Sequence, residues 1–365
     1  MSDAKRRASG PEANSPIGDA VPFLREPAAS MSGVVRTLMQ RSSDESVPGK
    51  RLDDEVVCLA IEGGGMRGAA TAGMCVVLEA AGLTQAFDRV YGVSAGALNG
   101  WALCAGQAAV GAMHYQDAVA EGVIDVIGPL RGRPLVDFEL LFDDLIAARR
   151  PLSFEGLASG PDLRVLATSL ETMTLRVLKG FEDAREVLDA VRASSFLPRF
   201  SGAAPLFRGE YMADGSLLEP IPLDSVLEEG ATHVLVLRSR PAAYRQRAIS
   251  ELAELLALWG QPEIARILRG RHAAYNRQAA RLEQNRHPPG IHVHQVVVEN
   301  QARLVAPLHA RADLVGDALR IGAAAMAREI LATPVDAQWL STLVAAPAGS
   351  ADPGAGSRPL SFQTC

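Results

Sequence analysis

Residues 89–99 read Arg-Val-Tyr-Gly-Val-Ser-Ala-Gly-Ala-Leu-Asn, a β-type run that leads into a Gly-x-Ser-x-Gly pentapeptide. Small and apolar residues suited to a helix follow, and a strand, a sharp turn and a helix are the setting in which this pentapeptide holds a nucleophilic serine. Ser94 would stand on the turn, and Gly92 and Gly96 would leave room for the neighbouring backbone. The pattern predicts an α/β protein with Ser94 as nucleophile, although a glycine-rich loop around a buried serine would have the same sequence.

A second glycine-rich stretch lies upstream, after a predicted strand. Residues 56–61 form a continuous apolar run, which is typical of a strand buried on both faces of a parallel sheet. Glu-Gly-Gly-Gly-Met-Arg-Gly follows at 62–68 and opens a helical pattern. The glycines that fit the Gly-x-Gly-x-x-Gly dinucleotide fingerprint are Gly63, Gly65 and Gly68. That fingerprint needs an acidic residue at the end of the second strand, but Asp88 precedes its strand, which disfavours a nucleotide-binding oxidoreductase.

The same loop can instead form an oxyanion hole. Consecutive glycines let backbone N–H groups converge on one point, and the N-terminus of the next helix adds its field. Each such donor stabilises a tetrahedral oxyanion by about 3 kcal/mol. Arg67 could hold the loop through a buried ion pair, lie near a phosphate, or face solvent. The residues predicted for the oxyanion hole are Gly63, Gly64, Gly65, Met66, Arg67 and Gly68.

Three motifs together resemble the signatures of the patatin-like phospholipases. They are the glycine-rich loop at 63–68, the serine turn at 92–96 and the Asp-Gly pair at 214–215, in that order. An Ala-Ser-x-x-x-Pro block at 193–198 is also similar to that family. The resemblance extends from about residue 56 to at least residue 240, and the loop at 129–137 looks like that of bacterial members.

This resemblance implies a fold, an activity and a catalytic pair. The fold would be a mostly parallel central sheet flanked by helices on both faces. The activity would be hydrolysis of acyl esters in lipids, with no metal and no cofactor. Ser94 would be the nucleophile and Asp214 its base, with Gly215 beside the site and with the glycine loop as the oxyanion hole.

A Ser–His–Asp triad remains an alternative, because histidines follow Asp214 in the order that α/β-hydrolases use. An aspartate of ordinary pKa ~3.9 is a poor base for a serine hydroxyl, so Asp214 would need burial and a hydrogen bond with Ser94. Each of these histidines has a plainer explanation in a strand, a helical region or a loop without a motif. They are His233, His272, His287, His292, His294 and His309.

The composition of the chain excludes several classes of protein and function. The chain of 365 residues is 48% apolar, which is enough for a large core and excludes global disorder. A net charge of −6 argues against a nucleic-acid partner, which needs a basic surface. The cysteines lack metal-ligand spacing and mostly lie in apolar segments, so buried free thiols in a reducing, cytoplasmic setting are expected. They are Cys58, Cys75, Cys104 and Cys365.

The sequence divides into one domain between two tails. Residues 1–50 and 345–365 lack hydrophobic periodicity and are expected to be disordered, which leaves an acyl hydrolase domain at 51–344. The uncharged stretch 90–113 is too rich in glycine for a transmembrane segment and is expected to be a buried helix. An arginine-rich helical segment at 242–287 is expected to pack on the core, and it leaves peripheral contact with a membrane surface open.

We therefore predict a serine lipid acyl hydrolase of the phospholipase A or esterase type, with a lipid or phospholipid as substrate. An acyltransferase would use the same Ser–Asp pair and pass the acyl group to an alcohol instead of water. A lipid-binding protein that had lost turnover would keep the fold, but the intact Ser94 and Asp214 weigh against it.

Overall fold

Within the residues that the structure describes, eight strands form one central sheet in the order β5-β6-β3-β2-β1-β7-β8, with β4 also paired to β3. The computed structural model describes residues 24, 31–198, 200–248, 262–299, 306–308, 311–331 and 342. The strands are β1 Val57–Ile61, β2 Arg89–Val93, β3 Asp162–Ser169, β4 Leu175–Leu178, β5 Leu206–Phe207, β6 Glu210–Asp214, β7 His233–Leu237 and β8 His292–Val296. The five strands β3, β2, β1, β7 and β8 run parallel, whereas β4, β5 and β6 pair antiparallel.

Helices cover both faces of this sheet. They are α1 Gly33–Ser43, α2 Gly68–Ala80, α3 Ala95–Cys104, α4 Ala108–Ala120, α5 Glu155–Ser159, α6 Ala184–Ser195, α7 Leu223–Glu228, α8 Pro262–Glu283 and α9 Ala312–Ile330. The side chains of β1 alternate between two cores. Leu59 and Ile61 join the core of α2, α3, α4 and α9, whereas Cys58 and Ala60 join the core of α7 and α8. The predicted α/β fold, with a mostly parallel sheet between helices, is confirmed.

The register of the sheet brings the three sequence motifs together. Ile61 lies opposite Gly92, so the glycine loop after β1 and the serine turn after β2 leave the same edge of the sheet. Val93 lies opposite Leu166, and Asp214 lies opposite the next residue of β3, Ala167. A carboxylate that is distant in sequence therefore ends its strand close to Ser94.

The expected disorder of residues 1–50 is wrong for residues 33–43, which form α1. Ser32 caps this helix, since its Oγ accepts a hydrogen bond from Val35 N at 3.2 Å. Arg41 is buried and forms ion pairs with Asp53 and Asp88 at 2.6 and 2.9 Å. The other residues that α1 contacts lie far along the chain. The polar composition of residues 1–50 also makes the apolar face of α1 hard to recognise in the sequence. The buried side chains of α1 are Val34, Val35, Leu38, Met39 and Arg41.

The structure agrees only in part with the predicted arginine-rich helical segment at 242–287. Within that segment, α8 begins at Pro262, residues 242–248 are not helical, and residues 249–261 lie outside the described residues. The predicted tail at 345–365 also lies outside them. Cys58, Cys75 and Cys104 are buried free thiols, as expected. In the described part of the chain, no helix is long and apolar enough to span a membrane.

Candidate active site

Ser94 stands on a strained turn between β2 and α3. Its backbone has φ 56° and ψ −127°, a left-handed conformation that is uncommon for a residue other than glycine. A Cβ at Gly92 would lie 2.4 Å from Gly96 O, and one at Gly96 would lie 2.4 Å from Ile61 O. Both glycines are therefore needed for α3 to pack against β1 and β2, and this packing holds the Ser94 hydroxyl at the sheet edge.

Ser194, on α6, fixes the turn from behind. Its Oγ accepts a hydrogen bond from Ser94 N at 2.8 Å and donates one to Leu166 O at 2.5 Å. The hydroxyl thus connects the turn to β3 inside the core. The Ala-Ser-x-x-x-Pro block contains Ser194, but the sequence alone does not reveal this contact with a residue 100 positions away.

Asp214 lies at the end of β6 and is buried. Its Oδ1 accepts a hydrogen bond from Ser216 N at 2.7 Å, which orients the carboxylate. Burial raises the pKa of Asp214 above its ordinary value, and hydrogen bonds from Ser216 and Ser94 together with the charge of Arg271 partly offset that rise. Gly215 follows, and a Cβ there would lie 2.3 Å from Leu166 O and 3.0 Å from Val93 Cγ2. This glycine lets the end of β6 pack closely on β3 and on Val93 of β2, which places Asp214 near Ser94.

The glycine loop keeps only some of its amides available. The amide of Gly63 donates to Pro220 O at 3.4 Å and that of Met66 to Pro307 O at 3.0 Å. Arg67 donates to Gly64 O at 3.2 Å, and Gly68 donates to Gly65 O. Within the described residues, the N–H groups of Gly64 and Gly65 have no acceptor. Of the six residues predicted for the oxyanion hole, these two have amides free to bind a substrate oxygen.

A buried hydrogen-bond network joins the glycine loop to the helix of the serine turn. Asn99 Nδ2 donates to Gly68 O and to Thr71 Oγ1, both at 2.9 Å, and Tyr115 Oη donates to Asn99 Oδ1 at 3.0 Å. A Cβ at Gly68 would lie 2.4 Å from Tyr115 Oη. These buried hydrogen bonds between α2, α3 and α4 therefore fix the distance between the glycine loop and the serine turn.

Ser94, Asp214, Gly64 and Gly65 all line one cavity of about 320 Å³. Most of its other walls are apolar and come from α3, α4, α6 and the π-helix Leu140–Arg149. The apolar lining includes Leu98, Tyr115, Ala118, Val123, Ile124, Val136, Phe138, Leu141, Phe142, Val191 and Leu197. A cavity with a few polar groups at one end and apolar walls elsewhere suits a ligand with a long hydrocarbon part.

The sequence of this region matches a known family. The model of the patatin-like phospholipase family matches residues 59–227, the segment that contains the glycine loop, Ser94 and Asp214. Residues 59–227 form a patatin-like phospholipase domain. This membership supports a lipid acyl hydrolase as the function class.

Individual relatives are more distant. The uncharacterized protein YjjU of Escherichia coli K12 is 28% identical over 193 residues, which cover 51% of this chain and 52% of that protein. The chain thus spans about half the length of this curated relative. Human GIVD cytosolic phospholipase A2 shares 13% identity with a TM-score of 0.37, over 85% of this chain and 62% of its own. VipD of Legionella pneumophila shares 14% identity with a TM-score of 0.30, over 53% and 51%. Similarities at these TM-scores carry no information about the chemistry of this chain.

Among the residues that the structure describes, none of the six histidines considered for a triad lines the cavity. His233 and His292 stack with 4.7 Å between ring centroids at the starts of β7 and β8, away from Ser94, and His294 bonds Glu329 at 3.0 Å. His309 lies outside the described residues. His114, which precedes Asp214 in sequence, does line the cavity, but its Nε2 bonds Arg150 O at 2.9 Å and burial lowers its pKa.

Asp88 is the acidic residue that a dinucleotide site would need, and the structure assigns it to another role. It lies ahead of β2, at the opposite end of that strand from Ser94, and forms ion pairs with Arg41 and Arg51 at 2.9 and 2.6 Å. Asp88 is thus a structural residue beneath α1. Over the described residues, no cluster of histidine, cysteine or acidic side chains has the arrangement of a metal site.

Proposed function

We propose that this protein is a serine lipid acyl hydrolase of the phospholipase A or esterase type, with Ser94 as nucleophile and Asp214 as general base. The observation that carries this proposal is that a strained serine and a buried carboxylate both line the polar end of one apolar cavity. The free amides of Gly64 and Gly65 supply the oxyanion hole.

The reaction follows from these groups in two halves. Ser94 Oγ attacks the carbonyl carbon of the ester while its proton passes to Asp214, and the amides of Gly64 and Gly65 stabilise the negative oxygen that forms. Asp214 returns the proton to the leaving alcohol, which leaves an acyl-enzyme on Ser94. Water then attacks the acyl carbon, gives its proton to Asp214, and the carboxylic acid leaves as Ser94 regains its proton. The raised pKa of Asp214 makes it a better base than an exposed aspartate.

We also propose that the protein works at the surface of a membrane and resides in the cytoplasm. The loop 123–136 supports surface contact, since its first and last residues line the cavity while Val126, Ile127 and Leu130 on its outer side are 66, 45 and 88% exposed. Arg131 and Arg133 follow on the same exposed stretch. Apolar side chains beside basic ones favour an anionic lipid surface.

Hydrolysis of a soluble p-nitrophenyl ester and labelling by a fluorophosphonate test the proposed nucleophile. We expect the wild-type chain to do both, and Ser94→Ala to lose both without a change in circular dichroism or thermal unfolding. Full hydrolysis by the Ser94→Ala variant would contradict the proposal. Adding an acceptor alcohol and measuring acyl transfer against acid release distinguishes an acyltransferase from a hydrolase.

A further inference from the structure

Three arginines surround the polar end of the cavity, and two of them come from outside the segment that matches the family. Arg67 belongs to the glycine loop, Arg240 follows β7, and Arg271 lies on α8; all three line the same cavity as Ser94. We propose that Arg240 and Arg271, together with Arg67, bind the phosphate group of the substrate's headgroup. This inference rests on the proposed function and names the residues of this chain that would recognise the headgroup.

The guanidinium groups of Arg67 and Arg240 lack the acceptors that buried arginines normally have. The buried Nε atoms of both have no hydrogen-bond partner within the described residues, and neither side chain forms an ion pair there. Arg240 instead stacks on Tyr244, with its Cζ 3.8 Å from the ring centroid. A buried polar group without a partner costs folding free energy, so its retention beside the nucleophile points to a ligand that completes it.

Arg271 adds a third set of donors next to Asp214. Its Nε donates to Ser216 O at 2.7 Å and its Nη2 to Ser216 Oγ at 3.2 Å. These bonds hold the guanidinium beside Asp214 without using a carboxylate, and its charge acts on Asp214. Burial is the main cause that lowers the pKa of Arg271.

The charges around this cluster do not cancel. Besides Asp214, the nearby acidic group is Glu62, whose Oε2 accepts hydrogen bonds from Ser239 N and Oγ at 2.7 and 3.3 Å. Burial and then the neighbouring charge of Arg240 lower the pKa of Arg67 to about 10, which shows that the cations repel each other. Together with the buried Arg238, whose charge also acts on Arg240, four cations lie near two anions, and one of those anions is the base. A bound anion would remove the remaining repulsion.

Phosphate suits this arrangement better than a carboxylate. Its tetrahedral oxygens can accept hydrogen bonds from several directions, and planar guanidinium groups bind it through paired N–H donors. A lipid phosphate lies only a few bonds from the acyl ester, so it can reach the arginines while the ester carbonyl meets Gly64 and Gly65. The acyl chain then occupies the apolar part of the cavity.

The test compares two soluble substrates that differ only in phosphate, a short-chain monoacylglycerol phosphate and the monoacylglycerol with the same chain. We expect the wild-type ratio of their kcat/KM values to favour the phosphate ester. Arg240→Gln should lower that ratio by about tenfold to a hundredfold, the usual effect of losing a charge-assisted hydrogen bond. Arg271→Lys, which keeps the charge but loses the paired donors, should lower it less. Arg277→Gln, at an exposed position of the same helix, is the matched control and should leave the ratio within twofold of wild type.

Inorganic phosphate provides the second arm, as an inhibitor of p-nitrophenyl ester hydrolysis at constant ionic strength. We expect competitive inhibition that weakens at least tenfold in Arg240→Gln. An unchanged substrate ratio in a folded Arg240→Gln variant overturns the headgroup assignment. If phosphate inhibition is nevertheless weaker in that variant, the arginines form a site for a free anion instead. If the wild-type chain hydrolyses no ester at all, the proposed function itself fails, which is a different result from an unchanged ratio.

Discussion

At the scale of single residues, the environment of Asp214 controls its ability to accept a proton. Burial raises its pKa, while the Ser216 amide, the charge of Arg271 and the Ser94 hydroxyl act in the opposite direction. Catalysis needs the carboxylate form, so activity should be lost as the pH falls through this pKa. The balance between burial and Arg271 therefore sets the acidic limit of activity.

We predict that kcat/KM for a soluble ester falls on its acidic side with a pKa above the ordinary aspartate value of about 3.9. Removing the positive charge of Arg271 makes the carboxylate less favourable, which raises the pKa of Asp214 further. In the Arg271→Gln variant, the acidic side of the pH profile of kcat/KM should thus move to higher pH. Full pH profiles of both enzymes measure this shift. A limb that stays in place, or moves the same way in Arg277→Gln, would show that Arg271 does not act on the base.

At the scale of elements, Glu79 on α2 accepts a hydrogen bond from Ala108 N at the start of α4, at 2.8 Å. Burial raises the pKa of Glu79 to about 7. In the unfolded chain this carboxyl ionises at lower pH, so the folded state binds the extra proton between those two values. The stability of the fold should consequently decrease as the pH rises through this window.

Glu79→Gln keeps an acceptor for Ala108 N but cannot ionise. We expect this variant to be more stable than wild type at pH 8, by on the order of 2 kcal/mol, and the gap to close below about pH 5. Urea unfolding across this pH range measures the effect. Glu121→Gln, at the exposed end of α4, is the control and should show no such pH-dependent gap; an equal gap in both variants would contradict the role of Glu79.

The elements also show which parts of the structure a single sequence can predict. The continuous apolar run of β1 and the glycines around Ser94 follow local rules, so the parallel core and the serine turn were predictable from sequence. The helix α1 was not, because its apolar face is short and its partners Asp53 and Asp88 lie beyond it. The approach of Arg271 to Ser216 depends on how α8 docks, which no local pattern encodes.

At the scale of the whole molecule, an acidic protein presents a basic and apolar loop next to its cavity. The net charge is −6, yet Arg131 and Arg133 lie beside the exposed Val126 and Leu130. Neither arginine forms an ion pair within the described residues. This asymmetry would orient the cavity opening toward an anionic bilayer.

We predict that the chain co-sediments with phosphatidylglycerol vesicles more strongly than with phosphatidylcholine vesicles. Val126→Asp combined with Leu130→Asp should weaken that binding by about tenfold or more, because apolar side chains no longer enter the lipid. The control is Leu52→Asp, an apolar residue that is 74% exposed elsewhere. Equal loss in the control, or none in the loop variant, would exclude this loop as the contact surface.

The central claim is that Ser94 and Asp214 act as a catalytic pair without a histidine. The most direct measurement is kcat for a soluble ester in Asp214→Asn and in Gln variants of all seven histidines of the chain. We predict that Asp214→Asn lowers kcat by ~1,000-fold or more, as expected for a base that acts as a unit with its nucleophile. Each histidine variant should stay within roughly tenfold of wild type. A histidine variant as inactive as Ser94→Ala, together with substantial activity in Asp214→Asn, would contradict the account.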